Sequence, residues 1–140
     1  MSDFDAQEER IAKILGEDEV SEVNDRTLKR YLAYLKENLE FPCHLTGIED
    51  FSWEEPYVFG YGSKAEYENL KKTQPSYTDT FELVGFEEEI DEGYGILVKV
   101  KRVSDKKKFT LPLADLEATD EQSRNYQFLD DFSVWFVNYR

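Results

Sequence analysis

The chain has 140 residues, with 31 acidic against 17 basic side chains, a formal net charge of -14, 40% apolar and 15% aromatic residues. This length fits one domain with a core resting on large aromatic side chains, and the charge excludes nucleic-acid partners, whose binding draws on basic groups. No run approaches the roughly 20 apolar residues a membrane crossing needs, and the N-terminal MSDFDAQEER is acidic where a secretory signal is basic and then apolar, so a soluble, cytoplasmic protein without a membrane partner is expected.

Phe4, Ile11, Ile14 and Leu15 recur at helical spacing over residues 4–15, with Gly16 as the stop. After the acidic run Glu17, Asp18, Glu19 and Glu22, Asn24 or Asp25 caps a second helix over 25–39, whose apolar stripe is Leu28, Tyr31, Leu32, Leu35 and Leu39. Phe41-Pro42 ends it, because the residue before proline is pushed out of the helical region. Cys43, Leu45 and Ile48 then suggest a strand, and Trp53 to Tyr61 is an aromatic segment containing glycine. Ser63 with Glu66 forms a capping box that opens a short helix to Lys72, closed by Pro75.

From Thr80 the period shortens. Phe81, Leu83 and Val84 form one apolar run; Ile96, Val98 and Val100 fall at alternate positions, with the charged Lys99 between the last two; Phe109, Leu111 and Leu113 alternate again. These read as three antiparallel strands joined by the polar turns 91–93 and 104–106. Phe128, Leu129, Phe132, Trp135, Phe136 and Tyr139 fall on one helical face, predicting a helix over 121–138, with a strand over 133–139 as the alternative. The fold class is α+β: an N-terminal helical part, residues 1–40, packed on a small, curved, barrel-like antiparallel sheet within residues 41–140, and sealed by the aromatic C-terminal helix. Trp53 and Trp135 are read as core anchors.

Counting removes most enzyme chemistries. The one histidine, His44, follows the one cysteine, Cys43, and neighbours on a strand point to opposite faces, so they form no nucleophile and base pair. Cys43 is expected in the core and His44 on the surface. Gly60, Gly62, Gly93 and Gly95 stand without the helix or lysine that a phosphate cradle requires. No catalytic residues and no organic cofactor are assigned, and a binding protein rather than an enzyme is expected.

Abundant oxygen donors suit a hard cation such as calcium, which takes six to eight of them in flexible geometry. Glu87, Glu89 and Asp91 alternate as the first ligands of an EF-hand do, but Glu92 stands where that loop needs glycine and Val98 where it needs its last acid, so this is not an EF-hand. Two acidic clusters remain. Glu49, Asp50, Glu54 and Glu55 are interleaved with Ile48, Phe51 and Trp53, so that apolar anchors would hold a loop of converging carboxylates. Glu87 to Glu92 spans a strand end and the following turn. Either cluster also reads as a solvated face.

The stretches PCHLTGIEDFSWEEPYVFGYG at 42–62, PSYTDTFEL at 75–83 and DDFSVWFVN at 130–138 resemble the small acidic calcium-binding proteins of the bacterial CcbP type, first recognised in cyanobacteria. The resemblance runs from Phe41 onward and leaves the N-terminal 40 residues outside it. It implies calcium, Ca2+, held without EF-hands by carboxylates on a negative surface, in a buffer or regulator of free calcium. The acids that match best are Glu49, Asp50, Glu54, Glu55 and Asp79; Asp115 to Asp120 match no fixed motif. The combined expectation is one site on Asp50 and Glu54 or Glu55, approached by Asp79, and a weaker second site on Glu87, Glu89 and Asp91. The rival reading is an acidic interaction module for a basic partner protein, using helix 25–39 and Trp53 to Tyr61 as its contact surface.

Overall fold

The computed structural model describes residues 3–140, with side chains from residue 6 onward, so the expected packing of Phe4 lies outside the described residues. Helix α1, Asp3–Leu15, buries Ile11, Ala12 and Leu15 and stops at Gly16, whose φ of 72° is the left-handed conformation that favours glycine. Helix α2, Asp25–Asn38, is capped by Asn24: its side chain accepts from Thr27 N at 3.0 Å, and Thr27 Oγ1 accepts from Asn24 N at 2.9 Å. The expected stripe, Leu28, Tyr31, Leu32, Leu35 and Leu39, is buried throughout.

Among the described residues the sheet has five antiparallel strands: β1 His44–Gly47, β2 Phe81–Phe86, β3 Leu97–Arg102, β4 Lys108–Pro112 and β5 Leu116–Ala118. Their order is β4-β3-β2-β1-β5, so β4 and β5 are edges and the sheet stays open rather than closing as a barrel. The expectation of three strands after Thr80 missed β5, which is three residues long and too short to show a period beyond Leu116 and Ala118. Leu113 belongs instead to a 3-10 turn, Leu113–Asp115. Cys43 and Leu45 face inward, whereas Ile48 is 46% exposed, because its odd offset from Leu45 puts it on the other side of a pleated backbone. Val84 also turns outward, beside the bulge between Leu83 and Gly85.

Between β1 and β2 lie a 3-10 turn, Ser52–Glu54, and the helices α3, Glu55–Val58, and α4, Lys64–Leu70; Ser63 Oγ accepts from Glu66 N at 3.3 Å to open α4, but the Glu66 carboxylate accepts from Tyr57 Oη at 2.9 Å instead of returning to Ser63 N, so the expected capping box is half formed. The C-terminal segment is helical: α5, Arg124–Asn138, starts from the Ser123 cap and buries Phe128, Leu129, Phe132, Trp135 and Phe136. Helix α5 packs on β5 and on α1. Trp135 stacks on Tyr31 at 5.0 Å between ring centroids, and Asp131 takes Arg10 in a two-point ion pair at 2.9 and 3.0 Å. One continuous apolar core joins the N-terminal helices, the sheet and α5. No described helix is long and apolar enough to cross a membrane.

Candidate metal centre

The first acidic loop leaves β1 at Gly47. A side chain there would meet Tyr77 Cβ at 2.6 Å and Tyr77 Cα at 2.7 Å, so glycine is what lets segment 76–79 lie against the strand. Gly47 N donates to Tyr77 O at 3.0 Å, and Thr46 Oγ1 donates to the carbonyls of Tyr77 and Asp79. Trp53, half-buried, ties the far side of the loop by donating Nε1 to Pro75 O at 2.6 Å.

Glu54 completes this fastening from inside. It is fully buried, and each of its oxygens accepts twice: Oε1 from Tyr67 Oη at 2.8 Å and Ser76 Oγ at 2.5 Å, Oε2 from Phe51 N at 3.1 Å and Tyr77 N at 2.9 Å. Four donors fill the in-plane lone pairs of a carboxylate. Glu54 therefore acts as an internal strut rather than as a surface carboxylate. Its partner Tyr67 has its phenol pushed up to about 12, first by desolvation and then by donating to Glu54.

Asp79 is committed too. Its Oδ2 accepts from Ser76 N at 2.9 Å and Arg102 Nη1 at 3.0 Å. Arg102, 3% exposed, also binds Asp105 at 3.0 and 2.8 Å and the carbonyls of Lys71, Lys72 and Gln74. That guanidinium holds the Asp105 carboxyl down at about 2. Asp79 thus faces Arg102 instead of approaching the acidic loop. Glu49 and Glu55 are exposed and Asp50 is half-buried, so these three remain outward from the first set.

A different acid meets the loop. Strand β5 pairs with β1 so that Leu116 lies opposite Gly47, and Ile48 N donates to Asp115 O at 3.0 Å. This register sets Asp115 beside Glu49. Asp115 keeps an exposed side, and its carboxyl is pushed above the usual aspartate value by partial desolvation within a cleft of about 600 Å³ and then by the Glu49 charge; Glu49 and Asp130 of α5 line the same cleft. Glu117 is raised as well, by desolvation and by the charges of Glu121 and Asp130. Carboxylates in this state resist ionising together, and a divalent cation relieves them.

The second acidic cluster lies past the end of β2, in bends rather than in a strand. Glu87, Glu89 and Asp91 line one small cleft of about 260 Å³ with Ile90, Leu97 and Thr110, while Glu88 points elsewhere and pairs with Lys36 at 2.9 Å. Asp91 shapes the turn: Oδ1 accepts from Gly93 N at 2.9 Å and Tyr94 N at 2.8 Å. Among the described residues, no three His, Cys, Asp or Glu side chains come close enough to hold an ion by themselves. Calcium on either group would draw its other oxygens from carbonyls and solvent, which its flexible shell allows. Cys43 is buried, with its thiol pushed up to about 11 by desolvation, and His44 is exposed, so neither joins these groups.

The family model for calcium binding of the CcbP type matches residues 58–136, more than half of the 140. This chain belongs to the CcbP family. The matched span holds Asp79, Glu87, Glu89, Asp91, Asp115 and Asp130, whereas Glu49, Asp50, Glu54 and Glu55 precede it. Two solved structures share the fold. One is described as a calcium binding protein in the calcium-binding form: TM-score 0.60, 20% identity, covering 100% of this chain and 99% of the other. The second is the CcbP of Anabaena: TM-score 0.59, 19% identity, covering 99% of this chain and 94% of the other. The likeness includes the N-terminal helices that the sequence resemblance left out, so α1 and α2 belong to the common CcbP fold. No curated protein matches by sequence.

Asp115 and Asp130 were not selected from the sequence. Asp115 follows Leu113 and Ala114 with no acidic neighbour nearer than Glu117, and only strand pairing shows what it faces.

Proposed function

We propose that this CcbP-family chain binds Ca2+ on outward carboxylates of two clefts and works as a cytoplasmic buffer or regulator of free calcium, binding the ion without catalysing a reaction. The main site uses Glu49 and Asp115, with Asp50 and Glu55 adding negative potential at the loop; the second, weaker site uses Glu87, Glu89 and Asp91. The observation that carries this reading is geometric: the β1–β5 register and the Ile48 N to Asp115 O hydrogen bond set Asp115 beside Glu49 on one cleft, where the Glu49 charge helps to push the Asp115 carboxyl up. A doubly charged ion converts that repulsion into attraction, and binding then stabilises the fold by mass action. Magnesium competes poorly, because it demands a tight octahedron and keeps its waters.

Calorimetric titration of metal-free protein with calcium tests this. Wild type gives heats above the buffer blank, Glu49→Gln and Asp115→Asn each weaken the tighter phase, and Glu89→Gln acts on the weaker one. Heats from wild type no larger than the blank would sink the reading.

A further inference from the structure

We infer that the cleft between α5 and the turn at Tyr94 is a docking groove for a basic, amphipathic peptide segment of another protein, with calcium competing for its acidic rim; the competition, though not the docking, rests on the proposed calcium reading.

Three of the large apolar side chains the fold leaves exposed converge on this one cleft: Ile48 at 46%, Tyr94 at 59% and Val137 at 68%. Exposed apolar residues scattered singly need no explanation, whereas three lining one cleft mark a candidate contact surface. The groove is built rather than incidental. Asp91 and Gly95 close the hairpin turn through two backbone hydrogen bonds, at 2.8 and 2.9 Å, and Gly95, at φ 73°, lets that turn sit directly on the Phe136 ring, where a Cβ would meet Cε2 at 2.5 Å. One wall is thus the turn bearing Tyr94. The other is the outer face of α5, where Asp130, Val134 and Val137 follow one another at helical spacing.

Charge decides the occupant. Glu49, Asp115 and Asp130 stand around the cleft in a chain of net charge -14, which repels acidic segments and attracts basic ones. The groove also shows on its own residues what it accepts: the Arg140 guanidinium lies 4.4 Å from the centre of the Phe136 ring and donates to Gly93 O at 2.7 Å. An apolar floor that takes a cationic stem, with carboxylates beyond it, fits a segment carrying large apolar residues on one face and Lys or Arg on the other. Glu49 and Asp115 serve the cation of the peptide or the calcium ion, so each ligand weakens the other by the same factor.

Fluorescence anisotropy with a labelled Leu/Lys amphipathic peptide, and a Ser/Lys peptide of equal charge, tests the proposal on the full chain in chelator. The Leu/Lys peptide binds at least about tenfold tighter, as burial of one large apolar side chain implies. Val137→Glu weakens it by about tenfold although it adds negative charge; plain charge attraction would tighten it, and a tighter or unchanged affinity overturns docking. Tyr94→Glu, on the opposite wall, carries the same expectation if Val137→Glu fails to fold by circular dichroism. Calcium then lowers the peptide's affinity. If calcium binds by calorimetry yet leaves peptide affinity unchanged, the competition is refuted; if calcium does not bind, the calcium reading fails while the chelator experiments still decide docking.

Discussion

Replacing Glu54 by glutamine separates a structural carboxylate from a ligand. In Glu54→Gln the amide oxygen keeps Phe51 N and Tyr77 N, and the new NH2 faces Tyr67 Oη and Ser76 Oγ, both of which can turn to accept. Ser76 can then pass its own proton to Thr78 Oγ1, 3.0 Å away. The number of hydrogen bonds is preserved and the charge assistance is lost, at about 0.5 kcal/mol per bond or about 2 kcal/mol in all. For a chain of this size that lowers Tm by about 6 to 10 °C. Glu54→Ala costs more, about 4 kcal/mol, because two buried backbone N–H groups lose their acceptor. Urea and thermal unfolding followed by circular dichroism, in chelator and with calcium, give the decisive comparison. The metal-free variant should lose stability while the calcium-induced rise in Tm survives, and the Tyr67 phenol should titrate below its wild-type range in an ultraviolet alkaline scan. A Glu54→Gln protein that melts like wild type in chelator but no longer responds to calcium would refute the strut and restore Glu54 as a ligand.

Asp115→Asn should act in the opposite sense. A carboxyl whose value is raised in the fold costs stability once pH rises above its ordinary 3.8, so the metal-free variant should melt higher than wild type near neutrality, with the gap closing at low pH, and its calcium-induced rise in Tm should shrink. A lower metal-free Tm would show that Asp115 is not under repulsion. Asp105, depressed to about 2 by Arg102, contributes stability above 3.8 that is lost as pH falls through about 2. Asp105→Asn should therefore lower Tm at neutral pH and leave it equal to wild type at the acid end; a difference independent of pH across thermal scans would contradict the ion pair.

Local chemistry alone made much of the fold legible. Asn24 before a stripe repeating every three or four residues announces α2, and Ser63 with Glu66 announces the start of α4, because caps and periodicity depend on residues within a turn or two. The aromatic face from Phe128 to Phe136 announces α5 in the same way. β5 was invisible because three residues carry no period of their own and exist as a strand only where β1 offers an edge. The acidic clusters were legible as concentrations of charge, whereas the bends that bring Glu87, Glu89 and Asp91 to one cleft were not. Glu54 and Glu55, identical in type and adjacent, were not distinguishable. The 3-10 turn carries one under the loop to four donors and leaves the other in solvent, a difference that exists only once segment 76–79 and α4 have packed there. Asp79 was likewise claimed by Arg102 from a strand the sequence could not bring to it, and Asp115 reached Glu49 through strand register. Sequence thus determined where charge and apolar surface lie along the chain, since those follow from each residue and its near neighbours. Which carboxylates remain free to meet a cation was decided by tertiary structure, because a hydrogen bond or an ion pair between distant segments forms only after the backbone has closed.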